Sequence, residues 1–229
     1  MVNIEIKNLP GIENIICLDE VESTQDAARE IAVESGMERT LVMAGTQTKG
    51  RGRMGRSWES CPGGIYMTLI LKPKISCRFL NELSLFSAEM LAETLTEFCG
   101  IKTRVKKPND VYAYHPKRKK YLKIAGALVE TAFRQYNIPS GGTERHCPQS
   151  VPRALRAAGT SEAAGGSVEY VLVGIGLNVE NLLSEGLDSA TSLKDILKKP
   201  VNREGLLAYF FDKFWQSYSM WELSSESRS

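Results

Sequence analysis

Four positive charges fall within eight residues at Lys49-Gly50-Arg51-Gly52-Arg53-Met54-Gly55-Arg56, with no acid among them. Glycines let backbone N–H groups turn toward an anion, and arginines give bidentate contacts to phosphate or carboxylate. The same composition suits an RG-type nucleic-acid contact or a solvated loop, and the segment alone does not separate these readings. It is not a Walker loop, because no G-x-x-x-x-G-K-[ST] occurs in the chain.

Three further segments carry groups suited to anion chemistry. Lys106-Lys107-Pro108-Asn109-Asp110 sets an amide and a carboxylate on a rigid turn, an arrangement that suits ATP and Mg²⁺ or simply builds the turn. Lys123 opens the apolar run Ile124-Ala125-Gly126-Ala127-Leu128-Val129-Glu130. A lysine there either marks a strand edge or holds an ammonium rigidly where charge develops on a phosphoryl group. Val173-Gly174-Ile175-Gly176-Leu177-Asn178-Val179 is a strand with glycines, the mark of close approach by backbone or ligand. Two polar clusters, Glu22-Ser23-Thr24-Gln25 and Gly45-Thr46-Gln47-Thr48, precede all of these.

These groups need a scaffold, and the chain is long enough to supply one. It has 229 residues, 42% of them hydrophobic and 24% charged, which predicts one or two domains and argues against wholesale disorder. A net charge of +2 excludes a globally basic nucleic-acid binder. No run is long enough for a membrane span, and Met1 to Pro10 has no apolar core of the signal-peptide kind. Five widely spaced cysteines without a C-x-x-C pair read as reduced thiols in a cytoplasmic protein. With His115 and His146 the only histidines, a His/Cys metal site is not expected.

Strands are predicted over Ile15–Leu18, Thr40–Ala44, Ile65–Leu71, Thr103–Lys106, Val111–Tyr114, Ile124–Thr131 and Tyr170–Val179. Helices are predicted from an N-cap at Ser23 to about Ser35, over Asn81–Phe98, Thr191–Leu197 and Arg203–Trp221. Lys117 to Lys120 forms a basic turn between two of the strands. Short links between most strands favour a mixed, largely antiparallel sheet with helices packed on one face, an α/β (α+β) fold. Half of the 34 residues from Arg134 to Ser167 are Gly, Pro, Ser or Ala, so this stretch reads as a mobile hairpin insertion.

Taken in order, the motifs resemble the catalytic domain of biotin–protein ligases. The resemblance runs from about Leu18 to Val179 and less specifically to Trp221, and Gly50-Arg51-Gly52-Arg53-Met54-Gly55-Arg56 is its specific signature. It implies a class II aminoacyl-tRNA-synthetase-like fold, with 1–221 as the catalytic domain and 222–229 as a polar tail. It implies formation of biotinyl-5′-AMP from biotin and ATP with Mg²⁺, then transfer to a lysine of a carboxylase's biotin carboxyl carrier domain. No membrane or specific nucleic-acid partner is expected, and the resemblance allows a homodimer.

By the same resemblance, Ser23, Thr24, Gln25 and Gln47 would hold the biotin head. Gly50, Arg51, Gly52 and Arg53 would form a loop ordering over biotin and adenylate. Trp58, Asn109 and Asn178 would lie near the nucleotide, and Asp110 near the metal. Lys123 and Arg53 would be catalytic, with Lys123 bridging the biotin carboxylate and α-phosphate. Gly126 and Gly176 would let the ligand lie against the sheet.

The chain departs from the family pattern in three places. Lys107 stands where the family has tryptophan, the 134–167 insertion is long, and the family's small C-terminal β domain is not expected within so short a tail. A lipoate–protein ligase of the same fold is the nearest rival, but its signature places a glycine run before a His-Asp segment. A biotin-sensing repressor needs a DNA-binding helix-turn-helix, for which about twenty residues before Ser23 are too few. An RG-loop nucleic-acid-binding protein is the rival from another class.

Overall fold

The computed structural model describes residues 6–73, 79–132, 169–184 and 187–226. The insertion expected over 134–167 lies outside these residues. Seven strands form one sheet in the order β1-β2-β3-β7-β6-β5-β4. They are β1 (Asn14–Val21), β2 (Thr40–Gln47), β3 (Ile65–Leu71), β4 (Thr103–Lys106), β5 (Asp110–His115), β6 (Lys120–Ala132) and β7 (Tyr170–Leu177). Only β1 and β2 pair in parallel, across the crossover helix α1 (Thr24–Ser35); every other pairing is antiparallel.

α1 is bounded as its sequence dictates. Ser23 Oγ accepts the Gln25 N–H, and Gly36 closes the helix in the left-handed region at φ 66°. α2 (Leu80–Cys99) ends in the same way at Gly100, φ 69°. Ser192 caps the short α3 (Leu193–Leu197), and α4 (Arg203–Glu226) packs on α2.

The expected mixed sheet with helices is present, but the helices divide between its faces. α2 and α4 cover one face with Leu41, Met43, Met67, Leu69, Val173 and Ile175. Phe86 of α2 meets Phe214 and Trp221 of α4 at 5.3 and 5.7 Å between ring centroids. Burying each such side chain contributes about 1.5–3 kcal/mol. α1 lies on the other face, where Ala28 and Ala32 pack on Val42, Ile70, Tyr170 and Leu172.

The strand sequences explain the division. β3 is buried along its whole length and β2 and β7 nearly so, the behaviour of strands covered on both sides. β5 alternates half-buried and buried residues, and β4 alternates exposed with half-buried ones, so that half of the sheet is covered on one side only.

α4 also runs further than predicted. Residues 222–226, expected in a polar tail, remain helical, and Ser225 is buried with its hydroxyl donating to the Trp221 carbonyl. No helix of the described residues is long and apolar enough to cross a membrane.

Candidate active site

A cavity of about 320 Å³ opens where α1 stops covering the sheet. Its floor is a cross-strand row, Lys106–Asp110–Gly126–Gly176, running from β4 to β7. A β-bulge builds this row. The partner of Val111 is Ala125 while that of Tyr112 is Lys123, so Ile124 is the extra residue. Strict alternation would put Lys123 and Gly126 on opposite faces; the bulge puts both in the cavity.

One end of the cavity is polar and neutral. The Thr24 N–H and hydroxyl both donate to Gln47 Oε1, at 2.8 and 3.1 Å, and Thr68 Oγ1 donates to Thr24 Oγ1 at 2.9 Å. Gln47 Nε2 donates to Ser60 Oγ at 2.8 Å, and Ser60 Oγ donates to the Trp58 carbonyl. A relay of hydrogen bonds thus runs from β3 through α1 and β2 toward the arginine segment. Gln25 packs on Gly174, where any Cβ would lie 3.0 Å from its amide, and donates through Nε2 to the Leu128 carbonyl at 3.1 Å. Gln25 Oε1 and the Trp58 indole N–H are the buried polar atoms of the lining that have no partner among the described residues.

The other end is cationic. Residues 47–60 form a narrow finger, with Trp58 N–H donating to the Gly50 carbonyl and Gly52 N–H to the Arg56 carbonyl. Its tip is a 3₁₀ turn, Arg53–Gly55, in which Met54 (φ 59°) is left-handed and 91% exposed. The arginine segment has no acid of its own, and the acids come from elsewhere. Arg51 pairs with Glu130 at 2.7 Å and Asp26 at 3.1 Å, and both carboxylates also pair with Arg29. Arg53 has no carboxylate partner among the described residues.

Lys123 sits between the two ends. Its ammonium pairs with Asp110 at 2.8 Å and lies 5.2 Å from the centre of the Trp58 ring. Its backbone is held by Ser189 and Thr191, which bond to both sides of its peptide. Trp58 occupies the clearance above Gly176, where a Cβ would lie 2.5 Å from the indole, so the glycine expected to face ligand faces this ring. In the same row the Tyr66 phenol donates to the Cys61 carbonyl, and burial raises its pKa above the ordinary tyrosine range.

Two of the sequence-predicted residues fall outside the lining. Gly50 sits behind it, where a Cβ would come within 2.4 Å of the Trp58 carbonyl. Asn178 is buried, with its amide ends bonded to the Thr191 carbonyl and to Asn181, so it ties the end of β7 to the chain before α3. The other predicted residues, Ser23, Thr24, Gln25, Gln47, Arg51, Gly52, Arg53, Trp58, Asn109, Asp110, Lys123, Gly126 and Gly176, converge on this one cavity. Asn109 donates its amide N–H to the Ala127 carbonyl at 2.8 Å, which fixes the turn and leaves Oδ1 as its free end.

Sequence reasoning quoted Lys106, Gly174 and Glu130 within its motifs without giving them a role, and it missed Tyr112 and Asp26; Lys106, Tyr112 and Gly174 line the cavity, and the two carboxylates hold Arg51. Period-two alternation from Asp110 finds Tyr112. Nothing local pairs Arg51 with a carboxylate 79 residues away.

The chain belongs to the biotin/lipoate A/B protein ligase family, which matches residues 18–138, just over half of its length. Among curated proteins it is 30% identical over 214 residues to the bifunctional ligase/repressor BirA of Bacillus subtilis, covering 90% of this chain and 55% of that protein. It is 26% identical over 189 residues to the biotin--[acetyl-CoA-carboxylase] ligase of Paracoccus denitrificans, covering 79% of this chain and 62% of that protein. The chain thus spans little more than half the length of these relatives. The biotin protein ligase of Aquifex aeolicus in complex with biotin and ATP superposes with a TM-score of 0.68 at 27% identity, over 93% of this chain and 74% of that one.

Proposed function

We propose that the chain is an ATP-dependent biotin–protein ligase acting in a reducing cytoplasm. The biotin carboxylate oxygen attacks the α-phosphorus of ATP, the bond to the bridging oxygen breaks, and pyrophosphate leaves. An amine of a carboxylase carrier domain then attacks the acyl carbon of biotinyl-5′-AMP, loses a proton, and displaces AMP.

The observation that carries this reading is the position of Lys123. It stands in one cavity between a neutral polar end and a cationic finger, fixed by Asp110 and by backbone bonds on both sides. Two anions must meet for the first step. An immobile ammonium between them lowers their repulsion and stabilises the charge gathering on the phosphoryl oxygens.

The polar end favours biotin over lipoate. A ureido ring offers two N–H donors and a carbonyl, and Gln25 Oε1 is a buried acceptor still without a partner. A dithiolane ring would leave this acceptor unmatched, at about 1–3 kcal/mol.

At the other end, Arg53 is free for phosphate, and the Trp58 indole offers a flat face and an N–H to the adenine side. Asp110 supplies one hard carboxylate oxygen. That fits a Mg²⁺ brought in with the triphosphate, which would neutralise phosphate charge there, rather than a resident ion. The described residues contain no cluster of three metal-binding side chains.

Incubation with ATP, Mg²⁺ and either biotin or lipoate tests the reading. Mass spectrometry is expected to find biotinyl-AMP, with pyrophosphate released in step. Lipoyl-AMP as the main product would overturn the choice of acid, and no adenylate with either acid would overturn the reaction.

A further inference from the structure

The near-neutral net charge hides a segregation. Residues 102–123 hold nine Lys and Arg against one acid, Asp110, a balance of +8 in a chain of +2, so the remainder sums to −6. Asp110 is taken by Lys123. This segment is β4, β5, the start of β6 and the basic turn between the last two.

It forms the half of the sheet that α1 leaves uncovered among the described residues. On that face the strand register sets Arg104 beside Tyr112, Tyr112 beside Lys123, and Tyr114 beside Tyr121. The Arg104 guanidinium lies 4.3 Å from the Tyr121 ring centre and 5.8 Å from that of Tyr112; the Lys106 ammonium lies 5.7 Å from Tyr112. Among the described residues, none of Arg104, Lys106, Lys107, Lys117, Lys119 and Lys120 pairs with a carboxylate. The rings steady the cations without neutralising them, and Arg104 and Lys106 remain exposed.

We infer that this face docks an acidic protein domain that presents one exposed lysine to the cavity. The inference rests on the ligation reading for the identity of that lysine's destination. Charge selects the partner's sign. Position selects its kind, because the patch is continuous with the cavity mouth: Lys106, Tyr112 and Lys123 belong to both. A domain seated here has its near edge beside the reacting acyl group. Single-stranded nucleic acid fits less well. It binds such sheets by stacking bases on open aromatic faces, and here Arg104 and Lys106 cover the Tyr121 and Tyr112 rings while Tyr114 meets Tyr121 edge-on at 5.5 Å.

The test uses the full chain and the unbiotinylated carrier domain of an acetyl-CoA carboxylase, chosen with an acidic surface and labelled for fluorescence anisotropy. Two variants are compared: Arg104→Glu on the face, and Lys117→Glu/Lys119→Glu at the turn, where exposed side chains contribute nothing to the core. Each is expected to raise the carrier Kd about tenfold or more at low salt. The difference should close near 0.5 M salt, as screening removes the attraction. Pyrophosphate release with biotin and ATP alone should stay within twofold of the parent. An unchanged carrier Kd in both variants overturns the inference. So does a labelled oligonucleotide that binds more tightly than the carrier and is lost in the same variants. Failure of the ligation reading looks different: the parent then makes no adenylate, while carrier binding still depends on the patch.

Discussion

At the α1 end of the cavity, Thr24, Gln25 and Gln47 are fixed by hydrogen bonds to helix and strand atoms. At the other end, Arg51, Arg53 and Trp58 ride on a finger between β2 and β3 whose tip is exposed. Neutral hydrogen-bonding groups discriminate only if their geometry is exact to a few tenths of an ångström, so rigid elements carry them. Cations act over longer distances and tolerate a movable support, which can close over an adenylate and exclude water. The finger is held by the relay through Gln47 and Ser60 and by the part-exposed ion pairs of Arg51. Such pairs contribute about 0–1 kcal/mol each, so its position can shift at little cost.

Lys123→Ala gives the largest expected effect, because this residue belongs to both ends. Adenylation measured as pyrophosphate release in a single turnover should slow about 10²–10³-fold, the loss of one charged donor to a developing charge. Biotin affinity should change by less than a few-fold. An equal loss of biotin affinity would mean that Lys123 holds the ground state, and the division between selecting and reacting ends would fail.

Gly176→Ala acts on the finger alone. The new methyl would lie 2.5 Å from the Trp58 indole and must displace it. Overpacking of this kind costs about 1–3 kcal/mol, so the KM for ATP should rise about tenfold while that for biotin stays within a few-fold. Altered quenching of Trp58 by nucleotide reports the movement, read against a Trp58→Phe control that removes the emission of Trp215 and Trp221 from the comparison.

Most of this arrangement is legible in the sequence. The strand Ile65–Leu71 and the caps at Ser23, Gly36 and Gly100 are local signals, and the structure keeps them. The arginine segment stands out because its charges are adjacent in the chain. What escapes is non-local. The bulge at Ile124 leaves no mark in an apolar run, yet it decides which face Lys123 takes. The position of α1 follows from β2 and β3 being apolar on both faces, and composition alone gives no count of the layers above them. The resemblance puts Asn178 near the nucleotide, but no local signal shows that its amide bonds the Thr191 carbonyl and Asn181, contacts made only by the fold.

Glu130→Gln sharpens the comparison on the side of the finger. It leaves Arg29 and Arg51 to share Asp26. With the Glu130 side chain 28% and Arg51 36% exposed, screening limits the loss to about 1 kcal/mol. Release of biotinyl-AMP into solution should quicken several-fold, followed by capture of labelled adenylate on a filter. Tm should fall by no more than about 2–4 °C. An unchanged release rate would show that the relay alone holds the finger down.

The smallest effect is expected at the rigid end, from Ser23→Ala. Ser23 is 1% exposed and its Oγ accepts the Gln25 N–H, so its loss removes the cap of α1. Loss of a serine cap costs about 1 kcal/mol, which in a domain of this size lowers Tm by about 2–4 °C. In urea the midpoint should fall with the slope unchanged, since the surface exposed on unfolding is the same. The KM for biotin should change less than threefold. Thr24 and Gln25 keep their bonds to Gln47 and Leu128, and these bonds, not the cap, set where the groups proposed to hold biotin stand. A rise in KM beyond tenfold at constant Tm would reverse the assignment. The Ser23 hydroxyl would then be a direct ligand contact, and the α1 end would discriminate through the same group that caps the helix.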